Sequence, residues 1–238
     1  MKTLVIHPKD KTTDFLKPIY HGRDDVTVIT GGCTKEDVAK AIDAHDHIVM
    51  LGHGTPQGLM AMGNFNGKPK KTAFQSIPNT GGSKQFTGRG DDDWFQGRKV
   101  GASSYSGYTA PYASGYVIDD KNADQLRGKK LTAIWCNADQ FMEWNELDGF
   151  YTGMFISDES EAKMIGTADT ERWQVEEQNY AFVDVVRRNL DQSGQDLHRK
   201  LMLEYGPMAE RNAVAKYNLK RFYNHKNSEC SRKATLIL

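Results

Sequence analysis

His47-Ile48-Val49-Met50-Leu51-Gly52-His53-Gly54 is the stretch on which the reading of this chain turns. Ile48 to Leu51 is a short unbroken apolar run closed by glycine, the pattern of a strand buried on both faces in a parallel sheet. The glycines flanking His53 let the backbone come close to a ligand. Between them, an imidazole can donate or accept a proton at neutral pH. Open parallel sheets place their sites at the carboxyl ends of strands, so the sequence puts His53 where a site belongs.

Working outward, residues 3–7 and 26–30 predict two earlier strands. A helical pattern follows each of them, over 12–21 and over 35–44, the latter capped by Thr34. This β-α-β-α-β order predicts an α/β fold with a mostly parallel sheet flanked by helices. Downstream, residues 62–114 lose periodicity in Gly, Ser, Asn, Lys and Thr and predict a long insertion loop. Regular structure resumes with a strand at 115–118 and a short helix at 122–127. Leu131-Thr132-Ala133-Ile134-Trp135 then predicts a buried strand that delivers Cys136 at its end. A further strand is expected at 153–156, helices at 176–190, 196–205 and 208–223, and a closing edge strand at 234–238. At 238 residues the chain predicts one domain, residues 1–238, with a helical C-terminal part over 173–238 packed on it.

Lys+Arg and Asp+Glu are each 31, so the formal net charge is +0 and nothing in the global charge points to nucleic acid or an acidic membrane. The apolar run at the N-terminus is three residues long, short of a signal-peptide core, and no stretch approaches a membrane span. The expectation is a soluble cytoplasmic protein with no cofactor. Cys33, Cys136 and Cys230 are odd in number and far apart, which predicts reduced thiols. Cys33 reads as structural and Cys230 as part of a polar tail. His45 and His47 stand two apart on opposite faces of a strand and supply too few ligands, so no metal is expected.

His53 and Cys136 each follow a predicted parallel strand, and a thiol beside an imidazole is a nucleophile beside a base. The amides of Gly54 and Cys136 are placed to bind a developing oxyanion. In these two blocks, and in the order His then Cys, the chain resembles the clan CD cysteine peptidases of caspase-like fold. Gly115-Tyr116-Val117-Ile118 with Gln125-Leu126-Arg127-Gly128 looks nearest to CHAT-type and clostripain-type members. Two features depart from the family pattern: Trp135 stands where many relatives carry a small residue, and the long loop widens the interval between His53 and Cys136.

The resemblance implies a cysteine endopeptidase acting on a peptide or protein substrate through a His53–Cys136 dyad. It also implies an acidic side chain reading a basic P1 residue. Asp158 occupies the corresponding place, Asp139 is the second candidate, and Asp158 reads equally well as the cap of a following helix. Lysines and arginines in the 62–114 loop make self-cleavage there conceivable. The rival reading is a non-catalytic caspase-like or flavodoxin-like binding module.

Overall fold

The structure, a computed structural model, describes residues 1–61, 115–164 and 170–224. Along them run nine strands: β1 (Thr3–Ile6), β2 (Val26–Ile29), β3 (His47–Leu51), β4 (Gly54–Thr55), β5 (Gly58–Met60), β6 (Tyr116–Ile118), β7 (Lys130–Ile134), β8 (Phe150–Thr152) and β9 (Phe222–Asn224). The helices are α1 (Lys35–Asp43), α2 (Ala123–Leu126), α3 (Ala138–Trp144), α4 (Glu159–Met164), α5 (Arg172–Arg188), α6 (Gly194–Lys200) and α7 (Ala213–Leu219). A 3-10 helix spans Lys11–Ile19. Six strands form the central sheet in the order β2-β1-β3-β7-β8-β9, parallel throughout except for β9 against β8. The fold is therefore α/β, a mostly parallel sheet flanked by helices.

Successive residues of a strand point to opposite faces, and here both faces are covered, which is why the central strands read as continuous apolar runs. Leu4, Ile6, Ile48, Met50, Leu131 and Ala133 pack with Val38 and Ile42 of α1, Leu126 of α2 and Phe141 of α3. Val5, Val49, Leu51, Ile134 and Phe150 pack on the other side with Leu16 and Ile19 of the 3-10 helix, Phe182 and Val186 of α5 and Leu197 of α6. Removing each such Leu, Ile, Val, Met or Phe side chain from water stabilises the fold by about 1.5–3 kcal/mol. Strand β2, at the edge, is half exposed.

Several expectations need correction. The strand expected at 153–156 lies earlier, at Phe150–Thr152. Thr132 and Ala133 pair with Phe150 and Tyr151, and the Gly153 amide instead donates to the Arg221 carbonyl at 2.8 Å. The single helix expected over 208–223 divides into a 3-10 turn (Gly206–Glu210), α7 and β9. Phe222 belongs to the aromatic cluster of Phe150, Phe155, Phe182 and Tyr205, and that burial draws the segment into the sheet. The edge strand expected at 234–238, the 62–114 loop and Cys230 lie outside the described residues. Strand β6 joins neither β3 nor β7 but pairs antiparallel with β5 in a second small sheet, β4-β5-β6.

That small sheet is held by a close backbone approach. Gly58 has φ +146°, and a Cβ there would lie 2.0 Å from the Ile118 carbonyl oxygen. Gly58→Ala is expected to cost roughly 2 kcal/mol or more and to lower the melting temperature by several degrees. An unchanged thermal midpoint would show that β5 and β6 are not packed this tightly.

Candidate functional site

Leu51 of β3 pairs in register with Ile134 of β7, and the Gly52 amide continues the ladder to the Ile134 carbonyl at 3.1 Å. His53 and Cys136 each stand two residues beyond that pair. They leave neighbouring strands about 4.8 Å apart at the same end of the sheet. The turn that follows Cys136 is abrupt. Asn137 adopts a left-handed conformation, φ 65°, and α3 begins at the next residue. Asparagine tolerates that region better than most side chains, which allows a direct passage from strand to helix and leaves Cys136 at the apex.

Trp135 settles what the glycine beside His53 is for. Its indole is 2 % exposed, donates from Nε1 to the Thr55 carbonyl at 3.1 Å and packs against Phe141. A Cβ on Gly54 would lie 2.1 Å from Trp135 Cδ1. The close approach expected for a ligand at Gly54 is therefore taken by Trp135, which fastens the small sheet to the end of β7. Gly52, with φ +141°, has Leu59 packed against it instead.

The His53 side chain is only 13 % exposed. Its Nε2 is 2.6 Å from Thr12 Oγ1 and 3.8 Å from Asp10 Oδ1. Burial holds the imidazole down at about 4, against the opposing pull of Asp10 and Asp158. It is neutral at physiological pH. The Cys136 thiol, partly buried, donates to the Phe155 carbonyl at 3.6 Å. Burial pushes that thiol far above its ordinary range, and the carboxyls of Glu161, Asp158 and Asp139 push the same way. The structure thus brings both residues to one end of the sheet, with burial favouring the neutral form of each and Asp158 acting on both.

Asp158 does cap α4. Its Oδ1 accepts from the Glu161 amide at 2.8 Å and from Ser160 Oγ at 2.6 Å. Glu161 closes the reciprocal half, accepting from the Asp158 amide at 3.3 Å and from the Ser157 amide and hydroxyl at 2.7 and 3.0 Å. The Asp-x-x-Glu spacing is a capping-box pattern, but its position beside Cys136 was not readable from it. Burial raises Glu161 to about 7. Asp139, in α3, is raised by burial to about 6, and its Oδ1 is buried with no hydrogen-bond partner. A cleft of about 520 Å³ opens on the outer side of Asp158, lined by Lys163, Arg172 and Glu176 among others.

Cys33 is partly buried and packs against the first core. His45 bonds to the Ala41 carbonyl and Thr27, and His47 to Thr132 across the sheet. Among the described residues no cluster of three His, Cys, Asp or Glu is arranged to hold a metal, and no helix is long and apolar enough to cross a membrane. Compared with protein-family models, curated proteins and solved structures, the chain matches none.

The raised Glu161 carboxyl gives a signed pH dependence. It keeps its proton in the fold where the unfolded chain has lost it. Its contribution to stability is therefore present below about 4.5 and lost as pH rises through about 7. Glu161→Gln has no such loss. The melting temperature of Glu161→Gln minus that of wild type is expected to become more positive across that window, read by calorimetry at several pH values. A difference independent of pH would show that Glu161 is not held protonated.

Proposed function

We propose that the chain is a caspase-like cysteine endopeptidase using His53 and Cys136 as its dyad. The observation that carries this reading is the register: a thiol and an imidazole follow adjacent parallel strands at equivalent positions beyond one paired residue. Because both groups rest neutral, His53 takes the thiol proton as sulfur attacks the scissile carbonyl, rather than before. The Cys136 S–C bond forms, and the carbonyl oxygen becomes an oxyanion facing the amides of Cys136 and Gly54. The imidazolium then passes its proton to the leaving amine, and the peptide C–N bond breaks. Water, deprotonated by His53, releases the acyl group and restores the thiol.

For P1, the acidic surround favours a basic residue, since an ammonium or guanidinium gains a partner there and an acidic side chain meets repulsion. Of the two candidate carboxyls, Asp139 carries the buried unpartnered oxygen, whereas Asp158 is engaged at the start of α4. A guanidinium reaching Asp139 would supply the missing bond. The second reading, a non-catalytic α/β binding module, is favoured by one observation: the thiol donates to the Phe155 carbonyl and burial holds it protonated.

A fluorogenic panel with Arg, Lys, Asp, Asn and Leu at P1 separates the readings. Wild type is expected to cleave after Arg or Lys, and Cys136→Ala and His53→Ala to lose at least about a hundredfold in kcat/KM while keeping their fold. Asp139→Asn is expected to weaken the preference for Arg over Leu. Hydrolysis that survives in Cys136→Ala would sink the dyad. A preference for Asp at P1 would remove the acidic pocket.

A further inference from the structure

Two adjacent threonines in the loop after β1 each meet a histidine: Thr12 reaches across to His53 beyond β3, and Thr13 meets His7 within the loop. Asp10 begins the 3-10 helix by accepting the Thr12 amide on Oδ1 at 2.8 Å. That bond uses only the amide of Thr12. Its hydroxyl does something else, lying 2.5 Å from Asp10 Oδ1 and 2.6 Å from His53 Nε2. A hydroxyl has one proton to give, and a carboxylate can only accept. The Thr12 proton therefore goes to Asp10, and the remaining contact requires a proton on His53 Nε2.

Resting on the peptidase reading for its mechanistic consequence, we propose that Thr12 and Asp10 are positioning residues: they hold His53 as the Nε2–H tautomer and make Nδ1 the nitrogen that exchanges a proton with Cys136. Asp10 polarises the Thr12 hydroxyl, so the oxygen facing Nε2–H is a stronger acceptor than an isolated alcohol. When Nδ1 takes up the thiol proton, the positive charge spreads over a ring whose far nitrogen already donates into this chain. A wrong tautomer would present a proton to the thiol instead of a lone pair. The chain of Asp10 to Thr12 to His53 thus orients the base by the same logic by which a carboxylate orients a histidine elsewhere, with a hydroxyl inserted between.

The neighbouring threonine makes the loop stiff enough for this. Thr13 is 2 % exposed, and its hydroxyl donates to the Asp10 carbonyl at 3.2 Å. It can then only accept at its 3.0 Å contact with His7 Nε2. His7 Nδ1 in turn receives the Tyr20 hydroxyl at 3.0 Å. The His7 amide and Lys9 amide bond to the carbonyls of Ile29 and Thr30, tying the loop to β2. Asp10 is thereby fixed from its backbone, and its carboxylate is aimed by the loop. Among the described residues, the titratable groups acting on His53 are Asp10 from this loop and Asp158 from the start of α4, and His7 is near enough to feel His53 in turn.

The test reads the tautomer directly, with no substrate. Long-range proton–nitrogen NMR of histidine-labelled protein across pH is expected to show wild-type His53 as one Nε2–H tautomer. In Thr12→Val that uniform pattern should be lost and the His53 midpoint should move further down. Thr12→Ser should restore both, and Asp10→Asn should lower the midpoint alone. The thermal midpoint of each variant reports that it is folded. On peptide substrate, kcat of Thr12→Val should fall about tenfold with KM unchanged. A wild-type His53 protonated at Nδ1, or a Thr12→Val spectrum matching wild type, overturns the assignment even if peptides are cleaved through Cys136. An Nε2–H His53 that responds to Thr12→Val in a protein that cleaves no peptide keeps the hydrogen-bond chain and overturns the peptidase reading.

Discussion

The pairing of Leu51 with Ile134 is the constraint on which the rest of the molecule depends. It is one rung of a parallel ladder that runs from His47 opposite Lys130 to the Gly52 amide on the Ile134 carbonyl. Burial on both faces fixes its register. A slip of one residue would carry Val49 and Leu51 from the core shared with α5 into the core shared with α1, and Ile48 and Met50 the other way. Both cores are close-packed with side chains of different shape, so the slip is costly twice over. His53 and Cys136 are brought to the same end of the sheet by the apolar residues that precede them.

Desolvation then sets the chemistry that this pair can perform. It lowers the affinity of His53 for a proton and raises that of the Cys136 thiol, so both changes oppose a thiolate–imidazolium pair. Three carboxyls around the thiol add to the effect. A site of this kind differs from one in which a neighbouring cation lowers a thiol and keeps it permanently ionised. On the proposed peptidase reading, a charged state forms here only while a substrate carbonyl is taking up the electron pair, and the cost of forming it depends on how well the imidazole is oriented. Glu161 and Asp139, themselves buried and held toward their protonated forms, limit the negative charge that the thiol meets at rest.

How far the sequence discloses this can be followed residue by residue. Ile48 to Leu51 and Leu131 to Ile134 are buried on both faces, and such strands announce themselves as apolar runs, so the sheet and the strand-end placement of His53 and Cys136 were legible. Phe222 was not. A three-residue strand whose only signal is an aromatic side chain joining four others is invisible until the fold gathers them. The same holds for β8, where the apolar stretch runs past the paired residues and the boundary is set by the Gly153 bond to Arg221. Gly54 was read as a place where the backbone approaches a ligand, and Trp135, 80 residues from the Thr55 carbonyl it also holds, occupies that approach. Thr12 and Asp10 carried only the signal of a helix start. Nothing local distinguishes a threonine in the first turn of a helix from one that also meets a histidine beyond another strand.

Topology explains why that meeting happens at all. From β1 the chain turns outward to β2, and from β3 the sheet grows in the opposite direction toward β7, so the connections after β1 and β3 diverge. Divergent connections leave a crevice at the carboxyl ends of the two strands, the place where open α/β sheets bind their ligands. The loop from His7 to Thr13 follows β1, Gly52 to Thr55 follow β3, and the Thr12–His53 contact joins the two. Because β7 lies on the far side of β3, the strands that lead to Asp10 and to Cys136 flank the strand that leads to His53. That the carboxylate-backed hydroxyl and the thiol follow the two neighbours of β3 is thus a consequence of strand order. A sheet with β7 inserted between β1 and β3 would keep every one of these residues and lose the arrangement.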